Sequence, residues 1–244
     1  MSGQSETESA GKLYIVATPI GNLGDVTLRT LEILKSVDLI AAEDTRRTRK
    51  LLNHFEIPTR TISYHSHNEH RKTAELLEQV AGGLKLALVS DAGMPCIADP
   101  GFLLVREAVK YGIEPEIIPG VSALTFAIAA SGMPSDRFTF YGFLPVKPGK
   151  KQKLLEEIKN NAHTAVVFES PYRISKTLLA ISEVIGADTA VAVVREATKL
   201  HEEVLRGGAS ELYETHCERN WKGEFVLVIA PQVNAPSQTD APEN

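Results

Sequence analysis

Residues 88–101 read Leu-Val-Ser-Asp-Ala-Gly-Met-Pro-Cys-Ile-Ala-Asp-Pro-Gly, and the whole chain is read outward from them. The apolar run leading in, residues 84–89, has the character of a strand buried on both faces. It breaks into Ser90-Asp91-Ala92-Gly93-Met94-Pro95 and again into Asp99-Pro100-Gly101. Small residues, carboxylates, prolines and glycines directly after a strand describe a rigid loop whose backbone another molecule can approach. Open α/β sheets bind their ligands outside the carboxyl ends of strands. Asp91, which follows the strand at once, therefore reads as a ligand-facing group. Asp99 reads as a cap for a helix starting near Phe102.

On either side of this loop, strand-like and helix-like segments alternate. In the first half, strands are expected at 13–17, 38–42, 61–65, 84–89 and 114–118. Helices are expected at 27–35, 44–55, 69–80, 102–111 and 123–130. Apolar strands separated by helices predict a mostly parallel sheet with helices on both faces. Ser131-Gly132-Met133-Pro134-Ser135 punctuates the chain, which places an N-terminal α/β domain at 11–132 and a C-terminal one at 133–231. In the second half, strands near 138–143, 165–168, 190–194, 203–206 and 225–229 combine with helices near 150–160, 174–185 and 210–218. Two of those strands flank one short helix, so a mixed sheet is expected. The polar ends, 1–10 and 232–244, are expected to be disordered tails.

Composition narrows the class. The chain has 244 residues, 43% of them hydrophobic, which suits one large or two modest globular domains. The net charge of -5 argues against a nucleic-acid partner at first sight. Four of the acids, Glu6, Glu8, Asp240 and Glu243, sit in the tails, and without them the body stands at -1. Local basic patches then decide the matter. Cys96 and Cys217 lie far apart without metal-ligand spacing, which fits a reducing compartment and speaks against a disulfide framework or structural zinc. No signal-peptide pattern opens the sequence and no apolar run reaches the roughly 20 residues of a membrane helix. A soluble, cytoplasmic protein is expected.

Three strand-to-helix junctions carry ligand-type chemistry. Besides 88–101 there is Thr18-Pro19-Ile20-Gly21-Asn22-Leu23-Gly24-Asp25, which retains only Gly21-x-x-Gly24 of a dinucleotide fingerprint and lacks the Walker pattern. Glu43 lies 19 residues after Gly24, where a ribose-binding carboxylate would sit, or else it caps the next helix or pairs with Arg46 or Arg47. The third junction is Pro119-Gly120-Val121-Ser122-Ala123, where Ser122 can cap and the helix N–H groups can bind a carboxylate or a base edge. The three close one pocket if the strand order brings them to the same edge.

Arg46, Arg47, Arg49 and Lys50 place four cations in five residues of the second helix, which either complement neighbouring carboxylates or form a phosphate-contacting surface, the reading taken here. His65, His67 and His70 follow at a spacing poor for a metal, with His65 or His67 able to accept a proton near neutral pH. Lys147, Lys150, Lys151 and Lys153 around Gly149 form either a solvated helix start or a second RNA contact. Phe168-Glu169-Ser170-Pro171-Tyr172-Arg173 and Arg195-Glu196-Ala197-Thr198-Lys199 end strands of the second domain, and a cleft between the two domains is the expected place for a site.

Taken in this order, these stretches resemble the tetrapyrrole-methylase superfamily, and within it the ribosomal RNA small subunit methyltransferase I branch, over residues 12–231. The resemblance implies an enzyme that methylates the ribose 2′-hydroxyl of a cytidine in the decoding region of small-subunit (16S) ribosomal RNA. It also implies S-adenosylmethionine held between the two α/β domains, and a homodimer. By position, Asp91, Ala92, Gly93 and Met94, then Ser122 and Ala123, then Glu169 and Ala197 correspond to cofactor contacts, with Pro19 lining the first turn. Members acting on tetrapyrroles have Gly-Gly-Asp-Pro where this chain has Val89-Ser90-Asp91-Ala92, a departure that points away from a tetrapyrrole substrate.

Methyl transfer from a sulfonium needs an aligned oxygen, exclusion of water and a proton acceptor, and no metal. The expected RNA contacts are Arg46, Arg47, Arg49, Lys50, Lys150 and Lys151, with His65 or Glu43 as the base. Three other readings stand beside this one. They are a small-molecule methylase of the tetrapyrrole or diphthine type, an NAD-dependent oxidoreductase, and a non-enzymatic RNA-binding module.

Overall fold

The computed structural model describes residues 11–232, and the expected tails lie outside that range except for residue 232. The chain divides into two compact units, Met1–Ser122 and Ala123–Asn244. In the first, strands β1 (Lys12–Val16), β2 (Leu39–Ala42), β3 (Thr61–Ser63), β4 (Lys85–Val89) and β5 (Glu116–Ile118) form one sheet in the order β3-β2-β4-β1-β5. Every pairing in it is parallel. Parallel neighbours require crossovers, which α1 (Leu28–Ser36), α2 (Thr45–His54), α3 (Glu69–Ala81) and α4 (Phe102–Lys110) supply.

The strands are apolar throughout because both faces are covered. Leu13, Ile15, Leu39, Ala41, Leu86 and Leu88 pack against Leu76, Leu77 and Val80 of α3 and Leu104 and Ala108 of α4. The alternate residues Tyr14, Val16, Ile40, Ala42, Ala87 and Val89 pack against Leu34 of α1 and Leu51 and Leu52 of α2. A period of two thus feeds two cores, and each fully buried leucine contributes roughly 1.5–3 kcal/mol.

The second unit is the mixed sheet expected. Strands β6 (Phe138–Phe143), β7 (Thr164–Glu169), β8 (Ala190–Arg195), β9 (Glu203–Gly208) and β10 (Phe225–Ile229) run in the order β6-β7-β10-β8-β9. Only β6 and β7 pair in parallel. Helices α6 (Pro148–Asn160), α7 (Ile174–Val184) and α8 (Ala209–His216) cover one face through Leu155, Ile158, Leu178, Ile181 and Leu212.

The other face is covered by α5 (Ala123–Ser131), whose Ala127 and Ile128 lie on Val166, Ala192, Val194, Val226 and Val228. The units therefore divide at Ser122 and Ala123, ten residues before the boundary expected at 132/133. The Gly-Met-Pro punctuation marks a change of chain direction, whereas the apolar surface of α5 chooses the second sheet.

Asp99 does not cap α4. Gly101 occupies the cap position at φ +127° and no side chain bonds there. With Gly101 turning the chain, the Asp99 carboxyl lies back toward Ser90 and Glu43. No helix among the described residues is long and apolar enough to cross a membrane.

Candidate functional site

Strand order in the first unit gathers the three junctions. Since β1 lies between β4 and β5, and all run in parallel, the turns that follow them leave from the same edge of the sheet. Thr18 and Gly93 bond each other reciprocally, N–H to carbonyl at 2.9 Å both ways, which fastens the first turn to the 88–101 loop. A Cβ on Gly93 would stand 3.3 Å from the Ile20 methyl and 3.7 Å from the Val121 carbonyl, so the third junction meets the other two there. Gly120 approaches the residue before the first turn more closely still, since its Cβ would lie 2.8 Å from that of Ala17. Pro19, Ala92, Met94, Ser122 and Ala123 are half-buried and Gly93 is buried.

The loop is held in unusual backbone. Gly93, Cys96, Ala98 and Gly101 all have φ between +62° and +127°. Left-handed conformations at Cys96 and Ala98 cost on the order of 1–3 kcal/mol each, and residues so held concentrate at functional sites. At Gly101 no side chain fits, because its Cβ would meet Leu88 at 2.6 Å and the Cys96 sulfur at 2.9 Å.

The carboxylates at this edge serve one another's backbones. Asp91 Oδ1 accepts the Asp44 N–H at 2.9 Å, and its Oδ2 lies 3.4 Å from Arg47 Nε. The group read as ligand-facing therefore braces the start of α2, where N–H groups and the helix dipole favour an anion. The Asp91 N–H in turn points to Glu43 Oε2 at 3.4 Å. Glu43 does not cap α2, a role Asp44 fills by accepting the Arg46 N–H. Burial raises the Glu43 pKa, and the charge of Asp91 adds to the effect.

Asp99 is pushed up to about 6, by burial first and then by Glu43, against the opposing hydrogen bond from Ser90. Sequence reasoning missed this inward position. The available signal was the glycine after Asp99-Pro100, which can take the cap itself. Among the described residues no three His, Cys, Asp or Glu side chains gather as metal ligands would.

The four cations of α2 are unequal. Arg46 grips both oxygens of Asp44, at 3.0 and 2.7 Å, and holds that carboxyl well below the usual range. Arg47 faces Asp91. Among the described residues Arg49 makes only a 3.4 Å contact, with the Thr61 hydroxyl. Lys50 is exposed and pairs with no carboxylate among the described residues. An open hollow of about 320 Å³, lined by Thr45, Arg46, Arg49, Lys50 and Asn53, runs along this helix.

His65 is built into its own turn. Its Nε2 lies 3.2 Å from the Asn68 side-chain nitrogen, while its buried Nδ1 finds no partner among the described residues.

In the second unit Glu169 is 2% exposed and enclosed. Its carboxylate accepts the Ser170 N–H and the Thr177 hydroxyl at 2.7 Å each and pairs with Arg173 at 2.6 Å. Ala197 lies half-buried between Glu196 (φ +50°) and Thr198 (φ +65°), in a loop tied by Lys199 to Glu196 and Glu224. Lys150 is exposed; Lys151 is half-buried, and burial lowers its pKa.

Residues 12–213 match the family of tetrapyrrole (corrin/porphyrin) methylases. A ribosomal RNA small subunit methyltransferase I from Synechocystis sp. is 49% identical over 220 residues, 90% of this chain and 79% of that protein. Its counterpart from Thermotoga maritima is 47% identical over 220 residues, 90% of this chain and 98% of that protein. Among solved structures, a cobalt precorrin-4 methyltransferase of cobalamin biosynthesis aligns with a TM-score of 0.67 at 19% identity, covering 93% of this chain and 98% of that one. A diphthine synthase aligns at 0.68 and 17% identity, covering 89% of each chain. At these identities the structures show a shared fold and no more.

The nicotinamide reading of Glu43 falls with this kinship. The chain belongs to the tetrapyrrole methylase family, in its ribosomal RNA small subunit methyltransferase I branch, and is a methyltransferase.

Proposed function

We propose that this protein transfers the methyl group of S-adenosylmethionine to the ribose 2′-hydroxyl of a cytidine in the decoding region of small-subunit ribosomal RNA. A cytoplasmic location and a homodimer belong to the same reading. The observation that carries it is the tie at Asp91, where one carboxylate joins the strained loop to the start of the cationic helix α2. A ligand-type loop and a phosphate-binding surface then stand side by side on one sheet edge. A methylase acting on small molecules has no need of the second.

The cofactor fits the residues present. Gly93 and Gly120 occupy places where a Cβ would crowd neighbouring turns, so main chain is what this edge offers a ligand. Pro19, Ala92, Gly93 and Met94 would hold it through backbone and apolar contact, Asp91 would keep their loop in place, and Ser122 and Ala123 would present the start of α5. Within the second unit, Glu169 shapes its turn from inside, so the backbone there and at Ala197 is what that unit offers a ligand. When bound, S-adenosylmethionine supplies a methyl group already activated by its sulfonium.

The protein aligns the 2′-oxygen, excludes water and takes the proton. Arg49 and Lys50 receive phosphates directly. Arg46 and Arg47 reach them by sharing their carboxylate partners, and Lys150 and Lys151 add contacts from the second unit. Of the two candidate bases, His65 and Glu43, Glu43 stands beside the 88–101 loop, where its Oε2 meets the Asp91 N–H.

Calorimetry with S-adenosylmethionine and with NAD tests the cofactor, and only the first should bind. Replacing both Arg49 and Lys50 by alanine should weaken small-subunit RNA binding and flatten its salt dependence while S-adenosylmethionine affinity holds. Loss of both affinities together would contradict this division of labour. Cofactor binding with no affinity for RNA in the unaltered protein would move the substrate to the small-molecule class.

A further inference from the structure

The second unit carries a surface that methyl transfer leaves unexplained. Tyr172, in the turn after β7, is 91% exposed. Its turn is nevertheless rigid, since Arg173 pairs with buried Glu169 at 2.6 Å and donates to the Leu144 carbonyl at 3.0 Å. That second bond fastens the turn to the end of β6, where Phe143 is 57% and Val146 81% exposed. Phe143 is itself supported edge-on by Phe168, with ring centroids 5.5 Å apart. Flat apolar rings on a fixed base are costly to leave in water, and no described residue covers them.

Cations crowd the same end of the unit. Lys147 and Lys150 are exposed at the start of α6, and Lys176 lies in the first turn of α7. Lys151 feels Arg173 and Lys176 as like charges, against the attraction of Glu169, in addition to its burial. Neither α6 nor α7 has an acid in its first turn or a side-chain cap. Lysines near helix N-termini oppose the helix dipole, so their position costs stability that an anionic partner would offset. Exposed rings among unneutralised lysines match a polymer that offers bases and phosphates together, which is single-stranded nucleic acid.

We propose that Tyr172 and Phe143, with Lys147, Lys150, Lys151 and Lys176, form a second RNA-contacting surface that stacks unpaired nucleotides of the substrate. This rests on the ribosomal-RNA reading above and adds to it a preference for unpaired over paired RNA, read by an aromatic platform.

The test is fluorescence anisotropy with a labelled single-stranded oligoribonucleotide of about twelve residues and with a blunt RNA duplex of the same length, titrated at several salt concentrations. Tyr172→Ala should weaken single-strand binding roughly tenfold without changing the salt slope, and should leave duplex binding unchanged. Tyr172→Phe keeps the ring and should bind as the unaltered protein does. Lys150→Ala and Lys176→Ala should each reduce the slope by about 0.7.

Unchanged single-strand affinity in Tyr172→Ala overturns the proposal. So does a change of oligomeric state by light scattering in that variant, which would assign the rings to an interface between copies of the chain. If the unaltered protein binds neither the oligonucleotide nor small-subunit RNA, the substrate reading itself has failed, a result distinct from the other two.

Discussion

Asp91 and Glu169 follow the same sequence rule and are used in opposite ways. Each stands where a strand ends at a sheet edge, and each was expected to face a ligand. Asp91 reaches across 47 residues to the Asp44 N–H and on to Arg47. Glu169 stays within eight residues, using Ser170, Arg173 and Thr177.

Both strands have a parallel neighbour that leads into a helix, so the difference lies in what the carboxylates bond. In the parallel sheet, β2 lies beside β4 and delivers the start of α2 to the same edge, so Asp91 finds a neighbouring helix N-terminus to brace. In the mixed sheet, β6 runs parallel to β7 and brings the start of α6 to that edge, but that start carries Lys147, Lys150 and Lys151, and Glu169 bonds within its own turn and to α7. One carboxylate ties elements together near the surface; the other is sealed inside a turn.

The largest effect expected from this contrast is at Glu169. Glu169→Gln leaves Arg173 without its carboxylate in a buried setting and should lower stability by about 3 kcal/mol in urea unfolding. A loss below about 1 kcal/mol would place Glu169 in the same looser class as Asp91. Next comes Gly101→Ala, which forces a Cβ against Leu88 and Cys96 at a left-handed position. It should cost about 2 kcal/mol, read from the same unfolding curves, and an unchanged midpoint would deny that the 88–101 loop is tightly packed.

Asp99 sharpens the comparison through pH. Its folded pKa of about 6 exceeds the ordinary 3.8, so between those values the folded state binds more protons than the unfolded one. That contribution to stability is fully present below about pH 4 and is lost as pH rises through about 6. Melting temperatures of Asp99→Asn and the unaltered protein should diverge in favour of the variant from pH 4 to pH 7; parallel curves would contradict the inward placement. The smallest effect belongs to Asp91→Asn. It keeps an acceptor for Asp44 and drops only the half-exposed Arg47 pair, so less than about 1 kcal/mol should be lost.

Much of the architecture was legible. β4 and β10 read directly from apolar runs, because strands covered on both faces carry few polar residues. The three glycine-containing junctions were also visible, and the strand order of the first sheet supplied the convergence that they required. What could not be read was partnership. The affinity of α5 for the second sheet, the bond from Asp91 to Asp44 and the inward turn of Asp99 all depend on which strands become neighbours. Local periodicity does not encode that order. The basic run of α2 was visible as charge, but the occupation of Arg46 by Asp44 and of Arg47 by Asp91 depends on side-chain geometry. Tyr172 gave no sign of its exposure, since an aromatic after a strand is more often core.

Labelled methyl transfer from S-adenosylmethionine to small ribosomal subunits lacking the modification decides the activity most directly. A methyl on the 2′-oxygen stops that oxygen from attacking the adjacent phosphate, so the expected result is label retained after alkaline hydrolysis in one dinucleotide with cytidine as its 5′ member. Label released among mononucleotides, or RNA left unlabelled by a protein that binds the cofactor, would contradict it.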